Sequence, residues 1–124
     1  MLKKVDLAEV FTRFEDTWSP KIIGDVNEMQ VKVAKFDGEF TWHRHEREDE
    51  MFLVVSGALR IDLDDGAVEL GPGELVIVPR GTEHRPVALP TARVLLFESA
   101  ATLNTGSADG DPRTAAILER LDRD

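Results

Sequence analysis

Between residues 22 and 98 the chain is interrupted by turn-forming residues too often for helices to develop. Asp37-Gly38, Ser56-Gly57, Asp65-Gly66, Gly71-Pro72-Gly73, Arg80-Gly81 and Pro90 divide it. Each supplies either easy access to a left-handed backbone or a locked φ. The runs between them are short and rich in β-branched, aromatic and leucine residues. The pattern predicts strands at roughly 29–36, 39–45, 49–56, 58–63, 67–70, 74–79, 84–88 and 92–98. Many short strands at close spacing give an all-β domain, a sandwich or a barrel.

The flanks have a different texture. In DLAEVFTRF, residues 6–14, Leu7, Val10, Phe11 and Phe14 recur at helical spacing and share one face. Asp6 with Glu9 three residues on has the form of a capping box, and Ser19-Pro20 ends the pattern. Beyond Phe97 the chain turns polar. Asp111-Pro112 then offers a cap and a first helical residue, and a terminal helix is expected over 112–122 with Ile117, Leu118 and Leu121 on one face. The expected organisation is a single domain over residues 1–124, its barrel core at about 22–98, with short helices at both ends.

A chain of 124 residues is one domain by length, and folding should bury about two thirds of its extended surface. The net charge of -9 repels phosphate backbones and anionic lipid. Neither nucleic acid nor membrane is therefore an expected partner. With no cysteine, disulfides and thiolate ligands are excluded. MLKKVDLAEVF lacks the apolar run of a secretory leader, and no stretch has the length of a membrane span. The expected location is the cytoplasm.

The chain has only three histidines, and two of them stand in WHRHEREDE, residues 42–50. That stretch is either the polar end of a solvated strand or one half of a metal site. In extended backbone alternate residues point the same way, so the His43 and His45 imidazoles can converge on one ion. Glu50 opens the run EMFLVV. If that run pairs antiparallel with the histidine strand, its carboxylate returns beside them. His84 arrives from elsewhere, after GELVIV, Pro79 and the turn at Gly81. A nitrogen-rich set with one carboxylate suits a first-row transition metal.

These residues also fall into a known spacing. Gly38, His43, His45, Glu50 and Gly57, followed by Gly73, Pro79, Gly81 and His84, resemble the two sequence motifs of the cupins. WSPKIIGDVN, VKVAKFDGEFTWHRHE, DEMFLVVSG and TLNTG resemble a narrower group within them, the small single-domain cupins described as homologues of mannose-6-phosphate isomerase. The chain departs from the pattern twice. Four residues rather than five separate Gly38 from His43, and Ala88 stands where the family often has Asn. Neither change removes a ligand.

The resemblance implies a cupin jelly-roll barrel holding one divalent transition metal per chain (zinc, nickel, manganese or iron) on His43, His45, Glu50 and His84. It implies an activity of the isomerase, lyase or dioxygenase kind on a small molecule, with the metal as Lewis acid or oxygen-binding centre and Glu50 as a candidate base. A non-catalytic ligand-binding or sensor module, or a purely structural metal, would use the same residues. By strand parity Thr41, Phe52 and Val54 face the pocket. Trp42 is expected to point the other way, into core packing or else toward a partner subunit, and Arg44 to face outward. Family members of this size commonly pair, so a homodimer is expected, with the apolar faces of the two flanks available to it.

Overall fold

The computed structural model describes residues 2–115 and 117–122. Among these residues six strands carry the fold: β1 (Lys21–Val26), β2 (Met29–Glu39), β3 (Glu50–Leu63), β4 (Gly66–Leu70), β5 (Leu75–Val78) and β6 (His84–Ser99). All pair antiparallel, in the order β1-β2-β6-β3-β4, with β5 also on β3. Among the described residues no helix is long and apolar enough to cross a membrane.

β3 and β6 are the spine. They are 14 and 16 residues long and pair from Glu50↔Glu98 to Leu63↔His84. Strands of that length curl rather than lie flat, and the curl is concentrated at bulges between Val54 and Ser56 and between Gly57 and Leu59. Gly57 has φ +84, and a Cβ there would come within 2.9 Å of Ala92 Cα and closer still to the Thr91 carbonyl oxygen. Only glycine fits. β5 pairs with the first half of β3 and β4 with the second, so the bent sheet closes on itself as a jelly-roll barrel.

The interior face carries Phe36, Phe52, Val54, Leu59, Val94 and Leu96. A second apolar cluster lies outside the barrel. There Val10, Phe11 and Phe14 pack on Ile23 and Val33. Burying each large apolar side chain contributes about 1.5–3 kcal/mol, so this segment is held by packing rather than by helix propensity.

Several expectations are corrected. The N-terminal helix is one α-helical turn, α1 (Leu7–Val10), followed by a 3-10 turn at Phe11–Arg13. Asp6 accepts the Glu9 amide as expected, but the Glu9 carboxylate pairs with Arg13 and does not complete the box. The run expected as two strands, 49–56 and 58–63, is the single β3. That expected at 84–88 and 92–98 is the single β6. Residues 40–49 form no strand beyond one bridge, His43↔His84, and β1 falls outside the strands expected from the sequence.

The terminal helix over 112–122 does not form among the described residues; Ala116 lies outside them. Asp111 accepts the Arg113 amide at 2.8 Å, but in a turn and not at a helix start. Residues 119–121 then pass along the edge of β1. Ile22 donates to the Glu119 carbonyl at 2.9 Å and Leu121 donates to the Ile22 carbonyl at 2.8 Å. A lone helix of three turns is marginal in water, whereas a sheet edge offers ready backbone partners. Ile117 is left 92% exposed while Leu121 packs on the outer cluster, so the expected common face is absent.

Candidate metal centre

Three elements deliver the donors. The irregular segment before β3 carries His43 and His45, β3 begins with Glu50, and β6 begins with His84. His43 and His84 exchange both backbone hydrogen bonds, at 3.0 and 2.9 Å. This pins the histidine segment against β6, whereas the sequence suggested a hairpin with β3. Gly81 donates to the His45 carbonyl at 2.8 Å. Asp49, in the acidic run, accepts the Arg80 amide at 2.9 Å. The Pro79-Arg80-Gly81 turn thereby locks His45 in place as well as delivering His84.

All four side chains are buried, and one ligating atom from each lies within 4.8 Å of the others. His45 Nε2 stands 3.3 Å and His84 Nε2 3.6 Å from Glu50 Oε1. Neighbouring donors bonded at about 2.1 Å to one ion lie roughly 3.0–3.4 Å apart, so the donors already stand near coordination distance. The tautomers fit as well. His43 Nδ1 lies 3.0 Å from the Thr41 carbonyl and His84 Nδ1 2.8 Å from the Thr82 carbonyl. A carbonyl can only accept, so each Nδ1 carries the proton and each Nε2 presents its lone pair to the common centre. His45 Nε2, His84 Nε2 and Glu50 Oε1 are buried without a hydrogen-bond partner. Orphaned donors of this kind are costly unless coordinated, and the residues fit a divalent transition metal.

The electrostatics favour the metal-ready protonation state. Burial, reinforced by the neighbouring His84, lowers His43 to about 4, so it is neutral near pH 7. Burial would push the Glu50 carboxyl up, but the adjoining Glu98, His45 and His84 side chains outweigh it and hold Glu50 well below the usual range. Glu98 moves the other way, raised by burial and then by the Glu50 charge.

A narrow cavity opens beside the donors. His43, Glu50, Glu98 and Asn104 are the polar part of its lining. The rest is apolar and includes Trp18, Phe36, Phe40, Phe52, Pro86 and Leu96. Trp18 stacks between Phe36 and Phe40, with centroids 4.2 and 4.5 Å away. It is held in a left-handed backbone at φ 58 by its indole N–H on the Asp37 carbonyl at 3.0 Å.

The structure brings together His43, His45, Glu50 and His84, with Phe52 on the cavity wall. Val54 shares the inward row but is packed in the core, and Thr41 is half-buried and serves the centre through its carbonyl; neither lines the cavity. Arg44 faces outward as expected, paired with Glu46. Trp42 does not pack in the core: it is 38% exposed, with the Arg85 guanidinium 5.2 Å over its ring. Sequence reasoning missed Trp18, Lys32, Glu98 and Asn104. For Glu98 a signal existed: it extends the inward row Ala92, Val94, Leu96.

Comparison with known proteins agrees with this picture. The family model Cupin_2, a cupin domain, matches residues 29–98. An uncharacterized protein of Bacillus subtilis (strain 168), YdbB, is 34% identical over 86 residues, covering 68% of this chain and 76% of the relative. Among solved structures, a cupin-2 domain protein from Shewanella frigidimarina NCIMB 400 superposes with a TM-score of 0.75 at 36% identity, covering 77% of this chain and 93% of that one. KdgF from Halomonas sp. has a TM-score of 0.59 at 35% identity, covering 64% of this chain and 76% of that one.

Proposed function

The chain belongs to the cupin family, and from that premise we propose that it is a metal-dependent protein acting on a small molecule inside its barrel. The observation that carries this is the set of four buried donors, three of them with an orphaned ligating atom, around one centre. His43, His45, Glu50 and His84 would hold one divalent ion: zinc, nickel, manganese or iron. When bound, the ion supplies Lewis acidity or an oxygen-binding centre, and the reaction class is isomerase, lyase or dioxygenase.

The chain's own residues have separate tasks. The Thr41 and Thr82 carbonyls hold the two imidazoles in the ligating tautomer. Glu50 completes the set and is the candidate base. Phe52 and the Trp18 stack keep bulk water from the cavity. The narrow space supports a ligand of a few heavy atoms.

Membership of the group described as homologues of mannose-6-phosphate isomerase is retained as a proposal about descent, not about substrate. Among the described residues that line the cavity there is no Lys or Arg, so a phosphate would find only the ion as counter-charge. A cytoplasmic homodimer completes the reading. The apolar face of the N-terminal segment is buried on the chain's own barrel and is not free to pair. Leu75 and Ile77, 53% and 57% exposed on β5, are the better contact.

The test is metal analysis of protein purified without a histidine tag, followed by a thermal-shift screen of small molecules on the loaded protein. About one equivalent of metal that is absent from His45→Ala supports the reading. Failure to take up zinc, nickel, manganese or iron on reloading overturns it. Binding without turnover of any hit would move the protein to the sensor class.

A further inference from the structure

Glu98 lies outside the four-donor set, yet it is the polar group whose position is hardest to explain by folding. It sits opposite Glu50 in the β3–β6 register and lines the same cavity. It is 1% exposed, as is Lys32, which reaches it from β2. Lys32 Nζ bonds Glu98 Oε1 at 3.0 Å, while Glu98 Oε2 is buried without a partner. A buried ion pair seldom repays its desolvation, and an apolar pair of similar volume usually folds as well or better. The rest of this inward row, Ala92, Val94 and Leu96, is apolar. The pair therefore has its explanation in what meets the open oxygen.

The chemistry of that group is narrow. A carboxylate or phosphate placed there would face both Glu50 and Glu98 and be repelled. An aliphatic carbon would leave Oε2 unpaired. A hydroxyl meets the requirement, since it can donate to a carboxylate or accept from a carboxylic acid. We propose that Lys32 and Glu98 form a hydroxyl-recognising subsite beside the metal position, selecting small oxygen ligands that carry a hydroxyl next to their metal-binding oxygen, such as short α-hydroxy acids, over their deoxy counterparts. Lys32 fixes the carboxyl through Oε1, and Oε2 reads the ligand. This rests on the metal reading above and adds to it the class of ligand.

The experiment separates the two. Nickel-loaded protein is titrated calorimetrically with glycolate, with acetate, and with methoxyacetate, which keeps the ether oxygen but has no hydroxyl proton to donate. The same titrations are run on Lys32→Met/Glu98→Leu, where both partners are replaced by apolar groups so that neither charge is stranded. Nickel uptake is measured first in each protein. Wild type should bind glycolate at least tenfold more tightly than either analogue. The double variant should take up nickel and lose most of that preference. Equal binding of the three acids by wild type, or no glycolate binding, overturns the subsite while leaving the metal reading intact, and this arm does not depend on any variant folding. An unchanged preference in the double variant overturns it as well. Loss of nickel from the double variant alone would instead make the pair a support for Glu50, and the subsite would be wrong. No nickel uptake by wild type, where zinc, manganese and iron also fail, overturns both readings.

Discussion

Gly106→Ala should loosen the metal centre from outside the barrel. Gly106 belongs to the strap after β6 and has φ +51. Ser107, next to it, donates to the Arg44 carbonyl at 3.0 Å and accepts the Arg44 amide on its hydroxyl at 3.0 Å. A Cβ on Gly106 would lie 2.9 Å from His43 Cδ2 and closer still to the Arg44 carbonyl oxygen. Two costs follow. The left-handed backbone costs a non-glycine residue about 1–2 kcal/mol. Relieving the overlap moves the strap or the His43–His45 segment by several tenths of an ångström, whereas metal–donor distances tolerate only about 0.2 Å. Metal affinity should fall about 10- to 100-fold, or about 1.4–2.8 kcal/mol. Gly110→Ala is the control. Gly110 has φ +76, but a Cβ there would meet nothing within 4 Å, so the substitution bears the backbone cost without the overlap. The assay is metal titration against a competing chelator, with urea unfolding of the metal-free proteins alongside. Wild-type affinity in Gly106→Ala, or an equal loss in Gly110→Ala, would show that the strap does not set the donor geometry.

Other outcomes follow from the same geometry. His45→Ala and His84→Ala should each lose nearly all bound metal while Arg44→Ala, whose side chain is exposed, keeps it; elemental analysis decides, and the reverse pattern would refute the donor assignment. His43 is lowered to about 4 from 6.5, so its contribution to stability is complete above pH 6.5 and is lost as the pH falls through 4. That amounts to about 3 kcal/mol in metal-free protein, and urea unfolding of wild type against His43→Asn should show their difference shrinking by about that much between pH 7 and 4. A constant difference would refute the shift. Light scattering at micromolar concentration should give a dimer mass, and Ile77→Lys on the exposed face of β5 should shift it toward monomer; a wild-type monomer refutes the pairing.

The fold class was legible because turn residues at short spacing leave room only for strands. What the turns do was not. A glycine with positive φ serves a hairpin turn or a bulge equally well, and only the long-range register shows that Ser56-Gly57 bends one strand where Asp65-Gly66 joins two. The C-terminal segment had real helical periodicity, but the open edge of β1 offered more. β1 itself escaped notice because KIIGDV does not alternate: Lys21, Ile22 and Ile23 are all buried.

The donor set was legible for a different reason. Alternation places His43 and His45 on one side whatever the segment pairs with, and the two imidazoles do lie together although the segment bridges to β6 rather than pairing with β3. Lys32 and Glu98 show where parity stops. It says which residues share a face, not which face is interior. Lys32 alternates with Val31 and Val33, the usual pattern of a solvent-facing lysine, but both valines face the cluster under the N-terminal segment while Lys32, Ala34 and Phe36 face the barrel. Both faces of β2 are covered, so charge no longer marks the outside. The N-terminal segment thus sets the chemistry of a cavity it barely touches: by covering the valines it lets their neighbours turn inward, and one of those neighbours is the cation that holds Glu98. Phe11→Ala should accordingly weaken the outer cluster by about 3–5 kcal/mol without displacing any donor. Metal affinity in the variant that remains folded should match wild type. A loss of affinity larger than the fraction unfolded would show that the two clusters are coupled through β2.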